Sequence, residues 1–159
     1  MTITKSTRYA LYAAAEMAMA GEALVTVAAV AKRYAIPEGA LAKVFQQLVR
    51  AGLAMGTRGI GGGYRLARPA SKITVLEVLH VFERPRRAGA CLLHDGPGEV
   101  CPQTSACGLH WLFSEVDELV RCTYESVTLH TLVRRAARTV SPSGLLQVRR
   151  GSEIGRAHV

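Results

Sequence analysis

The sequence has no apolar run that approaches the ~18 residues needed to cross a bilayer. Its N-terminal stretch has a basic start followed by apolar residues, as a secretory signal peptide does. Four residues interrupt that stretch and fit an amphipathic helix better: Arg8, Tyr9, Tyr12 and Glu16. We therefore expect a single cytoplasmic domain with no membrane partner.

Motifs for nucleotide binding and catalysis are also lacking. The segment "GIGGGY" is rich in glycine, but Tyr64 stands where a dinucleotide-binding fingerprint needs its third glycine. No Gly-Lys-Ser/Thr follows, and no nucleophile is paired with a base. The sequence therefore predicts that the protein is not an enzyme.

Acidic residues are scarce in the first half of the chain. Residues 1–87 contain 13 Lys and Arg against 5 Asp and Glu, whereas residues 88–159 contain 7 of each kind. The whole net charge of +8 therefore belongs to the first half. This asymmetry indicates one part that faces a polyanion such as DNA. A well-solvated basic surface is the alternative.

Helical periodicity predicts two short helices joined by a tight turn. Thr26 is placed to cap the first, "VAAVAKRYA", and Pro37 with Glu38 to begin the second, over residues 38–50. The second helix has an apolar stripe of Leu41, Val44, Phe45, Leu48 and Val49. Its opposite face is polar and carries Gly39, Lys43, Gln46, Gln47 and Arg50. Such a pair is typical of a helix-turn-helix that reads the major groove, although an ordinary helical hairpin remains the alternative.

A β-hairpin is predicted directly after these helices, because "LAMGTR", "GIGGG" and "YRLARP" have the pattern of strand, turn and strand. It carries Arg58, Arg65 and Arg68, and arginine suits the phosphate backbone and the minor groove. The order of elements is that of a winged helix. We therefore predict a mainly α-helical fold with a small β-hairpin wing, in which residues 1–83 bind DNA.

Three of the four cysteines lie in one irregular stretch, residues 84–107, which follows a predicted fourth helix, "SKITVLEVLHVFE". They are Cys91, Cys101 and Cys107, and His110 comes three residues after the last of them. Clustered cysteines in the cytosol more often bind a metal or sense redox state than form structural disulfides. A metal site, a disulfide pair with a spare cysteine and a chance cluster all remain open at this point.

A long helix is predicted from about Gly108, with a short last helix up to residue 138 that Thr128 caps and a tail over residues 139–159. The long helix has an apolar stripe that nothing else in the small chain would cover. It consists of Leu109, Leu112, Phe113, Val116, Leu119 and Val120. We therefore expect the same helix of a second subunit to cover it in a homodimer. Cys122 in this helix is interpreted as a small buried hydrophobic residue.

Together, "RYAL" in the first helix, "GGGYRLARP" in the hairpin and the three-cysteine loop before a long helix resemble the IscR and NsrR family of bacterial winged-helix regulators. The resemblance covers roughly residues 1–138. It implies a homodimeric repressor that binds operator DNA, with residues 38–50 as the recognition helix. It also implies a wing from Arg58 to Tyr64, which adds Gly61 and Tyr64 to the candidate DNA contacts of the hairpin, Arg58 and Arg65. Family members hold one iron–sulfur cluster per subunit, through which redox state, nitric oxide or the supply of iron or clusters controls DNA binding.

The resemblance implies that Cys91, Cys101, Cys107 and His110 hold this cluster, because soft thiolates suit iron that already carries sulfide. The final Cys-x2-His resembles the IscR branch and favours a [2Fe–2S] cluster over a [4Fe–4S] cluster on three cysteines. In the NsrR branch a carboxylate stands where this chain has Arg8, which cannot be a ligand. The first gap, "LLHDGPGEV", is longer than is usual in the family, so His94 is an alternative ligand.

Three other interpretations of the cysteines remain. Zinc also binds Cys3His sets, although its ligands are usually closer together in the sequence. Cys101 and Cys107 form a reversible disulfide in a thiol-switch interpretation. An iron–sulfur electron carrier is the third, and it leaves the basic winged helix unexplained.

Overall fold

The structure is a computed structural model that describes residues 3–83 and 107–139, with side chains as far as Arg135. In that part of the chain, six helices and one hairpin follow each other in the order α1 (Lys5–Ala20), α2 (Val27–Tyr34), α3 (Glu38–Arg50), β1 (Ala54–Thr57), β2 (Gly63–Leu66), α4 (Val75–Phe82), α5 (Gly108–Ser126) and α6 (Leu129–Thr139). The predicted mainly helical fold with a two-stranded hairpin is confirmed. None of the described helices is long and apolar enough to cross a membrane.

Helix α1 is the central element against which α3, α4 and α6 pack. Thr4 caps its N-terminus, since the side-chain oxygen accepts a hydrogen bond from the backbone N–H of Thr7 at 3.3 Å. The buried face consists mostly of alanine, at Ala10, Ala13 and Ala14. Because these side chains are short, the neighbouring helices approach α1 closely.

The turn between α2 and α3 has the predicted helix-turn-helix form. Thr26 caps α2 by accepting a hydrogen bond from the backbone N–H of Ala29 at 3.2 Å, as expected. Ala35 ends that helix in the left-handed region, with φ of 51°, which costs a non-glycine residue about 1–2 kcal/mol. In this conformation Ile36 donates its N–H to the carbonyl of Ala31 at 3.0 Å and buries its side chain. The chain then reverses into α3 at Pro37.

The apolar stripe of α3 forms much of the core. Leu41, Phe45 and Leu48 are fully buried and Val44 is nearly so. Val49 was predicted to belong to this stripe, and that prediction is wrong because its side chain remains exposed. Neighbouring elements cover only the middle of the stripe, and Val49 lies at its edge near the end of the helix.

The hairpin is fixed to α3 through one aromatic contact. Strands β1 and β2 are antiparallel, with Ala54 opposite Leu66 and Thr57 opposite Gly63. The ring of Tyr64 lies 4.6 Å from that of Phe45, measured between centroids. Tyr64 also pairs with the backbone of Val25 through two 2.8 Å hydrogen bonds, so the segment before α2 extends the small sheet.

The C-terminal helix α6 returns to the first part of the chain. Leu129 is fully buried in the core and donates its N–H to the carbonyl of Ile73 at 2.9 Å. Thr128 caps α6 as predicted, because its side chain accepts the N–H of Thr131 at 3.2 Å. The predicted fourth helix begins only at Val75. Ser71 and Lys72 lie in a short 3-10 helix, and the extended Ile73 and Thr74 pair with this C-terminal segment. The C-terminal helix therefore completes the same core that the first 83 residues form.

Helix α5 differs from the others in having no buried residue. Cys122, predicted to be a small buried hydrophobic residue, is exposed, and that prediction is wrong. It lies beside Glu118 and Arg121, and its thiol donates a hydrogen bond to Glu118 at 3.5 Å. The hydrogen bond from Arg121 lowers the pKa of Glu118 to about 2, and the bond to this carboxylate raises the pKa of the Cys122 thiol.

Candidate DNA-binding surface and cysteine site

The polar face of α3 is exposed along its whole length. The structure places all five predicted residues of this face in solvent: Gly39, Lys43, Gln46, Gln47 and Arg50. A Cβ atom added at Gly39 would meet nothing within 4 Å, so packing within the chain does not require glycine there. The absence of a side chain at Gly39 leaves the backbone near the start of α3 open to a close-lying partner.

The wing carries its predicted basic residue near its end. Arg58 follows β1 directly and is exposed, as is Gly61 in the turn. Gly61 has φ of +79°, a conformation that glycine adopts without steric cost. Glycine at this position therefore shapes the turn.

Tyr64 and Arg65, the other predicted DNA contacts of the hairpin, have partners within the chain. The Tyr64 ring is half-buried against Phe45, so its evident role is to hold the wing at a set distance from α3. The guanidinium of Arg65 forms an ion pair with Glu22 at 2.7 Å. Glu22 is 92% exposed, so this surface pair is weak enough for a DNA phosphate to replace the carboxylate.

Ion pairs divide the basic residues of this part into two groups. Arg33 pairs with Glu16, and Arg68 pairs with Glu77 at 2.7 Å. In the described part of the chain, the cations of the reading face and wing tip have no carboxylate partner; these are Lys43, Arg50 and Arg58. Four further cations of residues 3–83 likewise form no ion pair with a described carboxylate: Lys5, Arg8, Lys32 and Lys72. The polar face of α3 and the end of the wing therefore carry three of the seven unpaired cations in this region.

A polar cluster that the sequence analysis missed attaches α2 to α1. The hydroxyl of Tyr34 donates a hydrogen bond to Glu16 at 2.6 Å, and its ring lies 4.5 Å from that of Tyr12. Burial, together with this bond to Glu16, raises the pKa of Tyr34 to about 12. Helical spacing places Tyr34 on the inner face of α2, but no sequence signal links it to a residue eighteen positions away.

Two of the four predicted cluster ligands lie at the start of α5. Cys107 is the N-cap residue and His110 follows after one turn, and both side chains are half-buried. The carbonyl of Cys107 accepts the N–H of Trp111 at 3.2 Å, while its side chain makes no capping hydrogen bond. The thiol and the imidazole are therefore both available as soft donors on the same end of one helix, as a metal or cluster site requires.

The remaining cysteine predictions lie outside the described residues. These are Cys91 and Cys101, together with the alternative ligand His94. Within residues 3–83 and 107–139, no group of three or more His, Cys, Asp or Glu side chains could hold a metal ion. Cys107 and His110 are thus the two of the four predicted ligands that the structure describes.

The last described residue before the cysteine segment is anchored to the start of α1. Glu83 accepts hydrogen bonds from the hydroxyl of Thr7 and from the backbone N–H of Thr4, the latter at 2.8 Å. Thr7 is the buried polar residue of this region. The Thr7 bond, followed by that from Thr4, holds the pKa of Glu83 below its usual range. The upstream end of the cysteine segment is thus attached to the helix on which α3 packs.

The predicted dimer face of α5 is an uncovered apolar stripe. Its exposed members are Leu109, Leu112, Phe113, Val116 and Leu119, and Val120 is half-buried. Trp111 is 67% exposed and lies on another side of the helix, about 200° from Leu109. A stripe of this kind is typical of a helix that packs against another subunit.

Comparison with known proteins identifies the family of the chain. A family model described as Rrf2, an iron-dependent transcriptional regulator, matches residues 3–135. The transcriptional regulator IscR of Cereibacter sphaeroides is 41% identical over 101 residues, which cover 62% of this chain and 63% of that protein. IscR of Xenorhabdus nematophila is 31% identical over 135 residues, which cover 84% of this chain and 80% of that protein.

The fold is also similar to that of solved regulators. The structure of CymR, the global cysteine regulator of B. subtilis, superposes with a TM-score of 0.72 and 26% identity, over 85% of this chain and 98% of that one. The resemblance to winged-helix regulators and the prediction that the protein is not an enzyme are both confirmed. With an exposed helix that carries Lys43 and Arg50, a wing and a family match over most of its length, this chain belongs to the Rrf2 family of DNA-binding transcriptional regulators.

Proposed function

We propose that the protein is a homodimeric repressor, acting on operator DNA in the cytoplasm, whose DNA binding is controlled by an iron–sulfur cluster. The ligands are Cys91, Cys101, Cys107 and His110, and a [2Fe–2S] cluster suits this Cys3His set best. The observation that carries the proposal is the pair of half-buried donors at the start of α5, three residues apart and without a capping role. The similarity to two IscR proteins supports it.

The position of these donors suggests how a change in the cysteine segment reaches the DNA-binding surface. The segment follows Glu83, which is bound to the N-terminus of α1, and ends at Cys107, which is the N-cap residue of α5. Helix α1 packs on α3, and α5 packs on α4. A bound cluster would tie the two ends of the segment together through soft thiolate bonds. Gain or loss of the cluster would then shift α1 and α5 relative to each other. Because α3 packs on α1, the recognition helices would move with them.

The homodimer rests on the uncovered stripe of α5. Two copies of the stripe packed against each other would bury apolar side chains that one chain leaves in water. A symmetric dimer would also present two recognition helices to two operator half-sites, as helix-turn-helix proteins commonly do. The helix that joins the subunits would then also carry two of the cluster ligands at its N-terminal end.

A cysteine switch is the second candidate. The observation in its favour is the similarity to CymR, described as a global cysteine regulator. In this alternative Cys101 and Cys107 form a disulfide in oxidising conditions, with two electrons and two protons passing to an oxidant such as a peroxide. A structural zinc ion on the same Cys3His set is a separate alternative.

Anaerobic purification followed by absorption spectroscopy and quantification of iron and sulfide tests the proposal. We expect visible charge-transfer bands and about two iron and two sulfide per subunit for a [2Fe–2S] cluster. Cys107→Ser and His110→Ala should lose or shift these bands. Cys122→Ser is the matched control, because Cys122 is an exposed cysteine on the same helix and should not affect them. A colourless protein after reconstitution with iron and sulfide would contradict the proposal.

Trp111 provides an independent measurement. It is the only tryptophan of the chain and is adjacent to His110, so a bound cluster should quench its fluorescence. Removal of the cluster with a chelator should restore the emission, whereas a zinc ion would not quench it. A disulfide switch would instead give fluorescence that changes with thiol reductant and does not depend on iron.

A further inference from the structure

The end of the wing is a tight turn that presents a single side chain. Gly62 donates its N–H to the carbonyl of Gly59 at 2.9 Å, which closes a four-residue turn around Ile60 and Gly61. The φ of +79° at Gly61 is the value that a type II turn requires at its third position. A Cβ at Gly62 would lie 2.4 Å from the carbonyl oxygen of Thr57, so the turn cannot relax around a larger residue there. Ile60 is therefore held at the outermost point of the hairpin.

Ile60 is the most exposed large apolar residue in the described part of the chain, at 112% of its reference area. Single apolar residues on a surface are common, but a turn position of this kind is more often occupied by proline or a polar residue. The side chain of Ile60 has no partner within the described fold. Its apolar surface therefore lies in water at the turn of the hairpin.

The surroundings of this tip are suited to DNA. Arg58, two residues away, is exposed and has no carboxylate partner in the described residues. The hairpin is held at a fixed position against α3, because the ring of Tyr64 packs on that of Phe45. When α3 lies in a major groove, the tip is therefore carried at a set distance from it. A cation beside an apolar tip matches the minor groove, where negative potential attracts arginine and apolar side chains insert between base pairs.

We infer that Ile60 is a DNA-contacting residue that enters the minor groove beside the recognition-helix site. Its side chain contacts the groove floor, and it disfavours G·C pairs there because the 2-amino group of guanine fills the floor. The wing thereby adds a preference for A·T-rich flanks that the α3 side chains do not provide. This inference rests on DNA binding by the family and does not depend on the cluster.

The experiment compares Ile60→Ser with Met55→Ser on duplexes enriched by the wild-type protein from a random pool. Met55 is an exposed apolar residue on the body of the same hairpin and serves as the matched control. Affinity is measured by fluorescence anisotropy, with and without reconstituted cluster, over a range of salt concentrations. We expect Ile60→Ser to weaken binding by about tenfold, the order expected for returning most of an apolar side chain to water. The salt dependence should stay unchanged because no charge is removed.

Base substitutions then locate the contact. Flanking A·T pairs are replaced one at a time by inosine·C, which keeps the minor-groove face of A·T, and by G·C, which adds the amino group. The effect of Ile60→Ser should persist on the inosine duplexes and shrink on the G·C duplexes. Equal loss on all three duplexes would overturn the minor-groove contact. DNA affinity equal to that of Met55→Ser would overturn the inference and assign the tip to another partner.

Discussion

The helices of residues 3–83 and helix α5 make opposite use of their apolar side chains. Helices α1, α3 and α4 each bury an apolar face against other elements of the same chain, whereas the nineteen residues of α5 include none that is buried. Both regions have helical periodicity of similar quality in the sequence. The difference shows that the first region takes part in a core within the chain, which α6 closes, while α5 has an apolar stripe that no described residue covers.

The largest effect on the free energy of unfolding should come from removing the ring of Phe45, which lies in the core of the first region. Phe45→Ala should lower the free energy of unfolding by about 3–5 kcal/mol, because the ring is fully buried and also supports Tyr64 of the wing. Chemical denaturation measures the change. Phe113→Ala, in the exposed stripe of α5, is the control and should leave the stability of the protomer nearly unchanged. Equal losses in the two variants would mean that the two regions do not differ as described.

The converse test acts on α5. Leu112→Asp places a charge in the stripe and should weaken the dimer by on the order of 3 kcal/mol, since a buried carboxylate lacks a partner there. Sedimentation velocity at several concentrations measures the shift from dimer to monomer. Ser114→Asp, on another side of the same helix, is the control. A dimer that tolerates Leu112→Asp would require a different interface.

Cations of the reading surface should affect DNA binding rather than folding. Arg58→Ala or Lys43→Ala should weaken binding by about tenfold at low salt. If the lost contact is to a phosphate, the slope of log affinity against log salt should fall by about 1. Arg121→Ala, on α5, is the matched control because its side chain is paired with Glu118 and Glu125. Unchanged affinity in both reading-surface variants would show that the assigned face is wrong.

The smallest predicted effect concerns the anchor between α1 and the cysteine segment. Thr7→Val removes a hydrogen bond to ionised Glu83 and should cost about 1 kcal/mol of stability near pH 7. The pKa of Glu83 is lowered in the folded protein, so its contribution is present above the ordinary glutamate pKa of about 4.3. That contribution is lost as the pH falls through the lowered pKa.

Urea unfolding of wild type and Thr7→Val across this pH range measures the effect. The difference between the two proteins should become smaller as Glu83 is protonated. In a Glu83→Gln background the Thr7→Val substitution should have little pH dependence. A difference that stays constant down to low pH would show that Glu83 is not the group responsible.

Local signals in the sequence were sufficient for the helices of the DNA-binding region. Thr26 and Thr128 cap the helices that were expected to begin after them, and residues 38–50 form α3 with its predicted polar face exposed. These features depend on hydrogen bonds and periodicity within a few residues. Periodicity predicted burial less well for two single residues: Val49 and Cys122 were expected to be buried and are exposed.

Contacts between distant residues could not be predicted in the same way. Glu22 pairs with Arg65, Glu16 with Tyr34, and Glu83 with Thr7, and no local pattern specifies these partners. The packing of Tyr64 on Phe45 is a further contact of this kind. Each depends on how helices and hairpin pack, which is set by the whole core.

Local properties, namely periodicity, charge and residue chemistry, were enough to predict the winged-helix order of elements, the basic first half and the candidate donors of the cysteine segment. Only the tertiary structure decided which cations remain unpaired, that α6 closes the core formed by α1, and that Ile60 stands alone at the end of the wing. The physical reason is that burial and ion pairing depend on distances across the fold, which spacing along the chain does not contain.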